Sequence, residues 1–108
     1  MRTTKIQLDV ELDDNHVPET MTWHAEDGGI ENQPTKATVM AVWDDAAKEA
    51  LRIDLWTKDM PVDNMKMFLH QILLSLSNTY EKATGEEDVA DWMEMMAEEF
   101  AVKAAIKM

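Results

Sequence analysis

The chain contains no cysteine, which excludes disulfides, thiolate metal sites and cysteine nucleophiles. It is also poor in basic charge: 10 Lys and Arg stand against 22 Asp and Glu among 108 residues, a formal net charge of −12. That imbalance exceeds the roughly 2–8 units of a typical small soluble domain and repels both phosphodiester backbones and anionic headgroups, so no nucleic-acid partner is expected. The acidic residues run along the whole length, describing an acidic globular surface and not a tail. Long hydrophobic runs are missing as well. The first twenty residues include Lys5, Asp9, Glu11, Asp13 and Asp14, and offer no apolar segment of signal-peptide type. The most apolar stretch, Met65 to Leu76, is broken by Lys66, His70, Gln71 and Ser75 and falls short of the ~20 residues that span a bilayer. The expectation is a cytoplasmic protein without direct membrane insertion.

Catalytic and cofactor motifs are lacking too. His16, His24 and His70 fall in a turn, a strand and a helix, no two at the i, i+4 spacing of a helical metal site. Asp13-Asp14-Asn15 has none of the twelve-residue oxygen spacing of a calcium loop and reads as a turn. Gly28-Gly29 lacks the flanking pattern and basic residues of a phosphate loop. Ser75 and Ser77 sit in a helical stretch with no activating base assignable to either, and suit bonds to helix carbonyls. Asp44, Asp45, Asp59 and Asp63 offer carboxylates for an acid–base pair, but nothing in the sequence marks a pocket that would set two of them apart. The chain therefore reads as non-enzymatic, with no catalytic residue, cofactor or metal assigned.

What is present is enough apolar material, 45% of residues, for one core and one domain spanning 1–108. Ile6, Leu8, Val10 and Leu12 alternate with Lys5, Gln7, Asp9 and Glu11, the period of a half-buried strand. Met21, Trp23 and Ala25 alternate in a second strand that Asp27-Gly28-Gly29 ends; residues 30–34 read as loop. Ala37–Trp43 is apolar throughout and fits strand or helix by composition. We read a strand, since Asp44–Glu49 resembles a hairpin connection into Leu51–Thr57. After Pro61 the period becomes 3.6: Met65, Phe68, Leu69, Ile72, Leu73, Leu76 and Tyr80 form the stripe of a first helix ended by Gly85. Val89, Trp92, Met93, Met96, Phe100 and Ala104 form that of a second, with Glu86, Glu87 and Asp88 at its start and Lys103 and Lys107 at its end, matching the helix dipole. The predicted fold is α+β, a four-stranded antiparallel sheet followed by two helices packed on one face.

Four tryptophans and ten methionines are the strongest departure from ordinary composition. Trp56 is predicted to be exposed, because its phase opposes that of Leu51, Ile53 and Leu55. It shares a face with Arg52 and Asp54, which are expected to pair with charges on neighbouring strands. Together with Met93 and Met96 on the second helix, these are the candidate protein-contact residues: aromatic and Arg anchors plus adaptable methionine.

The junction Leu51-Arg52-Ile53-Asp54-Leu55-Trp56-Thr57-Lys58-Asp59-Met60, continued by Val62-Asp63 and Met65, is similar to the GldC family of proteins associated with gliding motility in Bacteroidetes-type bacteria. The resemblance extends to Val17-Pro18, Trp23, Asp27-Gly28-Gly29, Val42-Trp43-Asp44, Phe68, Gln71, Leu73 and Ala83-Thr84, nearly the whole chain. Near the last helix the chain departs from it, with Met95, Met96 and Phe100 where many members carry cysteine and further aromatics. The resemblance implies a role in gliding motility beside a machinery related to type IX secretion, with motility or secretion-system proteins as partners. It supplies no reaction, cofactor or ligand site. Two readings stand beside it: a small-molecule-binding protein or enzyme with a cavity between sheet and helices lined by Trp23 or Trp43, and a structural homodimer or other homo-oligomer.

Overall fold

The computed structural model describes residues 1–106; Lys107, expected in the last turn of the second helix, lies outside the described residues. The elements are β1 (Ile6–Leu12), β2 (Pro18–Ala25), β3 (Ile30–Thr35), β4 (Ala37–Asp44), β5 (Glu49–Trp56), α1 (Val62–Thr84) and α2 (Glu87–Lys103). They fall into two compact units, Met1–Met60 with all the strands and the segment from Pro61 onward with both helices.

In the first unit β1, β2 and β3 form an antiparallel sheet in that order. Leu8 and Val10 of β1 lie opposite Trp23 and Met21 of β2, and Met21, only 2% exposed, is its most deeply buried large side chain. Ile6 and Leu12, at the ends of the same β1 face, stay exposed. Asp13 builds the β1–β2 turn with its own side chain, Oδ1 accepting the N–H groups of Asn15 at 2.8 Å and Val17 at 3.0 Å. His16 takes the left-handed conformation that closes it, with φ 63°. A single 3-10 turn, Glu26–Gly28, ends β2, and Gly29 at φ 68° supplies the positive angle the paired glycines signalled.

The expected four-stranded sheet is not formed. The structure has two antiparallel sheets, of three and two strands, the second being the β4–β5 hairpin. The difference arises at residues 30–34, read as loop, which are the edge strand β3. Its sequence Ile-Glu-Asn-Gln-Pro-Thr is polar and contains Pro34, a residue tolerated only where the missing N–H faces an edge. With β3 in place, Lys36 alone separates it from β4, too little chain to reverse direction and pair them as a hairpin. The strand reading of Ala37–Trp43 and the hairpin connection after it hold.

Thr57 pins this corner. It is buried, its N–H donates to the Lys36 carbonyl at 2.9 Å, and its hydroxyl donates to Asp59 Oδ1 at 2.6 Å. Asp59 Oδ2 in turn meets Lys36 Nζ at 3.1 Å. The bonds from the Lys36 ammonium and the Thr57 hydroxyl, that of Thr57 foremost, hold the Asp59 carboxyl below its ordinary 3.8.

In the second unit α1 and α2 are joined by Gly85 and Glu86 alone, so they pack antiparallel. Gly85 adopts φ 74° just past α1 and its N–H returns to the Glu81 carbonyl, the expected stop. At the other end Lys66 Nζ donates to the Ala104 carbonyl at 2.9 Å, a cation on the negative end of α2. The seam differs from the predicted stripes. Its buried residues are His70 and Ser77 on α1 and Ala90, Ala97 and Ala101 on α2. Spacings of seven and four keep these residues on one line, where Ser77 and the alanines allow close approach; the bulky apolar side chains flank the line and stay half-buried or exposed.

Candidate protein-contact surface

The β4–β5 ribbon begins at a turn that Asp44 organises, its Oδ1 accepting the N–H groups of Ala46 at 3.1 Å and Ala47 at 3.3 Å. Lys48 at φ 58° closes the turn, and Asp44 and Glu49 form the first cross-strand pair. From there the register runs Trp43↔Ala50, Val42↔Leu51, Ala41↔Arg52, Met40↔Ile53, Val39↔Asp54, Thr38↔Leu55 and Ala37↔Trp56. Because opposed residues share a face, one side carries Met40, Val42, Leu51, Ile53 and Leu55, and the other carries Trp43, Arg52, Val39, Asp54 and Trp56.

Trp56 is 54% exposed and Trp43 62% exposed, so the predicted exposure of Trp56 is met. Arg52 and Asp54 are exposed, but the expected pairing with neighbouring strands does not occur. Their cross-strand neighbours are Ala41 and Val39, since β4 brings no charge between Ala37 and Trp43. Among the described residues neither joins an ion pair. The result is a row of Trp56, Asp54 and Arg52 with Trp43 at its far end, about 20 Å away at ~3.4 Å per residue. The sequence reading missed the place of Trp43 on this row; the phase of β4 was legible, but its pairing with β5 was not. Trp43 Nε1 donates to Asp45 Oδ1 at 3.3 Å, leaving the ring face open.

Met93 and Met96 belong to the second unit, where Met93 is half-buried and Met96 50% exposed on α2. Trp92 beside them is 58% exposed and was not among the candidates, although its position on the same helical stripe marked it.

Two open hollows lie in the first unit. One is lined by Lys5, Gln7, His24, Glu26, Gly29, Ile30 and Glu31, the other by residues including Met21, Thr35, Lys36, Thr57 and Asp59; neither includes Trp23 or Trp43. His24 sits at the bulge between β2 and β3, and its carboxylate partner is Asp9 across the sheet, not the adjacent Glu26 or Asp27. Nε2 lies 3.1 Å from Asp9 Oδ2, and Nδ1 accepts the Asn32 N–H at 3.3 Å, which assigns the remaining ring proton of the neutral form to Nε2. The Gln7 amide, and then His24, lower the Asp9 pKa. No group of three or more His, Asp or Glu that could hold a metal ion occurs among the described residues, and no described helix is long and apolar enough to cross a membrane.

A search of curated proteins and a search of solved structures give no match. A family model described as "Gliding motility-associated protein GldC-like" matches residues 18–106, from the start of β2 past the end of α2 and across both units. The junction residues that carry the resemblance, from Leu51 to Met65, lie inside that match, and the chain belongs to the GldC-like family.

Proposed function

We propose that this protein is a non-enzymatic, cytoplasmic accessory component of bacterial gliding motility and its associated secretion machinery, working through protein contacts. Membership of a gliding-motility-associated family supports the association. The observation that carries the contact mode is the exposed row of Trp56, Asp54 and Arg52, whose two charges join no ion pair among the described residues. Tryptophan and arginine are the residues most enriched at energetic centres of interfaces. An open Arg and an open Asp two residues apart select a partner of matching charge pattern, which favours specificity over bulk adhesion. Both units serve one function as a single GldC-like domain, in line with a family match that spans them.

A tagged full-length chain, expressed at native level in a gliding bacterium, tests the proposal. Wild type is expected to co-purify motility or secretion-system proteins, and Trp56→Ala together with Arg52→Ala to lose them while keeping the wild-type circular dichroism. Retention of the same partners by the double variant contradicts the contact mode, and recovery of none by wild type contradicts the association.

A further inference from the structure

We propose that His24 is a proton-operated latch on the edge strand β3: its neutral ring holds the Asn32 amide in the β2–β3 bulge, and the imidazolium releases that amide while tightening on Asp9 of β1. Between the pairs Trp23↔Gln33 and Ala25↔Ile30, β3 sets two residues, Glu31 and Asn32, against His24 alone. Such a bulge interrupts the backbone ladder. Here a side chain bridges the interruption, the Asn32 N–H donating to His24 Nδ1 at 3.3 Å. Asn32 stands at φ 49°, a left-handed conformation that asparagine tolerates better than most residues. On the other side of the ring Nε2 lies 3.1 Å from Asp9 Oδ2, and the Gln7 amide steadies that carboxylate at 2.9 Å and 3.1 Å from its two oxygens. One imidazole thus ties all three strands of the sheet.

The two ties respond to a proton in opposite ways. A neutral imidazole has one bare nitrogen that accepts, whereas in the imidazolium both nitrogens are donors. A proton taken from water at Nδ1 therefore sets one N–H against another, and the bond to Asn32 is lost. At Nε2 the same charge turns the contact with Asp9 into a charge-assisted bond. The Gln7 amide foremost, and then His24, hold the Asp9 carboxyl below its ordinary 3.8, so it is ionised throughout the pH 5–8 range in which imidazoles ordinarily change charge. Glu26 of the 3-10 turn, Glu31 of β3 and Lys5 just before β1 line the hollow beside the ring, while Asp27 of the same turn is occupied by Arg2 at 3.0 Å. With Asp9 these set three carboxylates against one ammonium, so the charged ring has anions to face where it stands. The ring stays and the amide leaves, since Asn32 is exposed and water can take its N–H.

NMR of the isotope-labelled full chain between pH 8 and pH 5 tests the latch. At the alkaline end the His24 ring is expected to carry its proton on Nε2 and to leave Nδ1 bare, with the Asn32 amide protected from exchange. On acidification the Asn32 resonance is expected to move with the midpoint of the His24 ring, and its protection factor to fall about tenfold, the worth of one net hydrogen bond. His24→Asn, whose Oδ1 can stand where Nδ1 stands but takes no proton, is expected to keep Asn32 protected at both ends. An Asn32 amide that ignores the His24 titration in wild type overturns the proposal, as does a ring protonated on Nδ1 at pH 8. An Asn32 transition that persists unchanged in a folded His24→Asn also overturns it, and the wild-type titration decides by itself if that variant does not fold.

Discussion

The Lys58 ammonium lies 2.8 Å from Asp13 Oδ2, joining the segment after β5 to the β1–β2 turn across 45 residues of sequence. Lys58 also donates its backbone N–H to the Pro18 carbonyl at 3.3 Å. The junction that marks the family thus also clasps the first sheet.

This clasp gives a pH dependence with a definite sign. The Lys58 bond, aided by the Val17 and Asn15 N–H groups, lowers the Asp13 carboxyl from 3.8 to about 2. A group whose pKa is lower folded than unfolded stabilises above its unfolded value, and that contribution is lost as pH falls toward the folded one. The melting-temperature difference between wild type and Asp13→Asn is expected to be full above pH 4 and to close as pH falls to about 2. A difference that persists unchanged at the acid end contradicts the assignment. Lys58 shifts the opposite way, its ammonium held above 10.5 chiefly by Asp13, so the bond survives into the alkaline range.

Thr57→Ala removes a buried hydroxyl that donates to Asp59 Oδ1, leaving that carboxylate to its ion pair with Lys36. The expected loss is about 1 kcal/mol, one net hydrogen bond, read by urea denaturation. Thr57→Ser is expected to recover most of it.

Gly85→Ala forces a Cβ into a left-handed backbone at φ 74°. No atom stands within 4 Å of that Cβ, so the cost is conformational and not steric crowding by neighbours. A destabilisation of about 1 kcal/mol is expected, with the helix content of α1 retained.

His70 is buried, its Nε2 has no partner among the described residues, and its ring stacks on Phe100 at 6.5 Å between centroids. His70→Leu is expected to raise stability by about 1 kcal/mol, because a polar nitrogen left without a bond costs more buried than an alkyl group does. A lower melting temperature for the variant contradicts that account.

Most elements were legible because their periods are clean. Thr4–Leu12 and Leu51–Thr57 alternate, Val62 onward repeats at 3.6, and Gly85 stops the helix where its φ demands. β3 was not legible, since a polar edge strand buries too little to leave an alternating signal, and missing it turned two sheets into one. The seam between the helices was not legible for a related reason. Apolar stripes mark which face avoids water, but Ala90, Ala97 and Ala101 pack closest because they are small, a property that hydrophobicity does not rank. At the contact surface Trp56 is exposed as expected, but its phase does not account for that, since Leu51 and Ile53 on the opposite face are exposed too. That Arg52 and Asp54 face Ala41 and Val39 and not charges depended on what β4 places opposite them, which only register reveals.

The central claim is that the row on β5 touches a motility partner, and site-specific photo-crosslinking in living cells tests it most directly. A photoreactive residue replacing Trp56 is expected to give a covalent adduct with one motility or secretion-system protein, while the same residue replacing Asn78 on α1 gives none. Identical adducts from both positions, or none from Trp56 in gliding cells, contradict it.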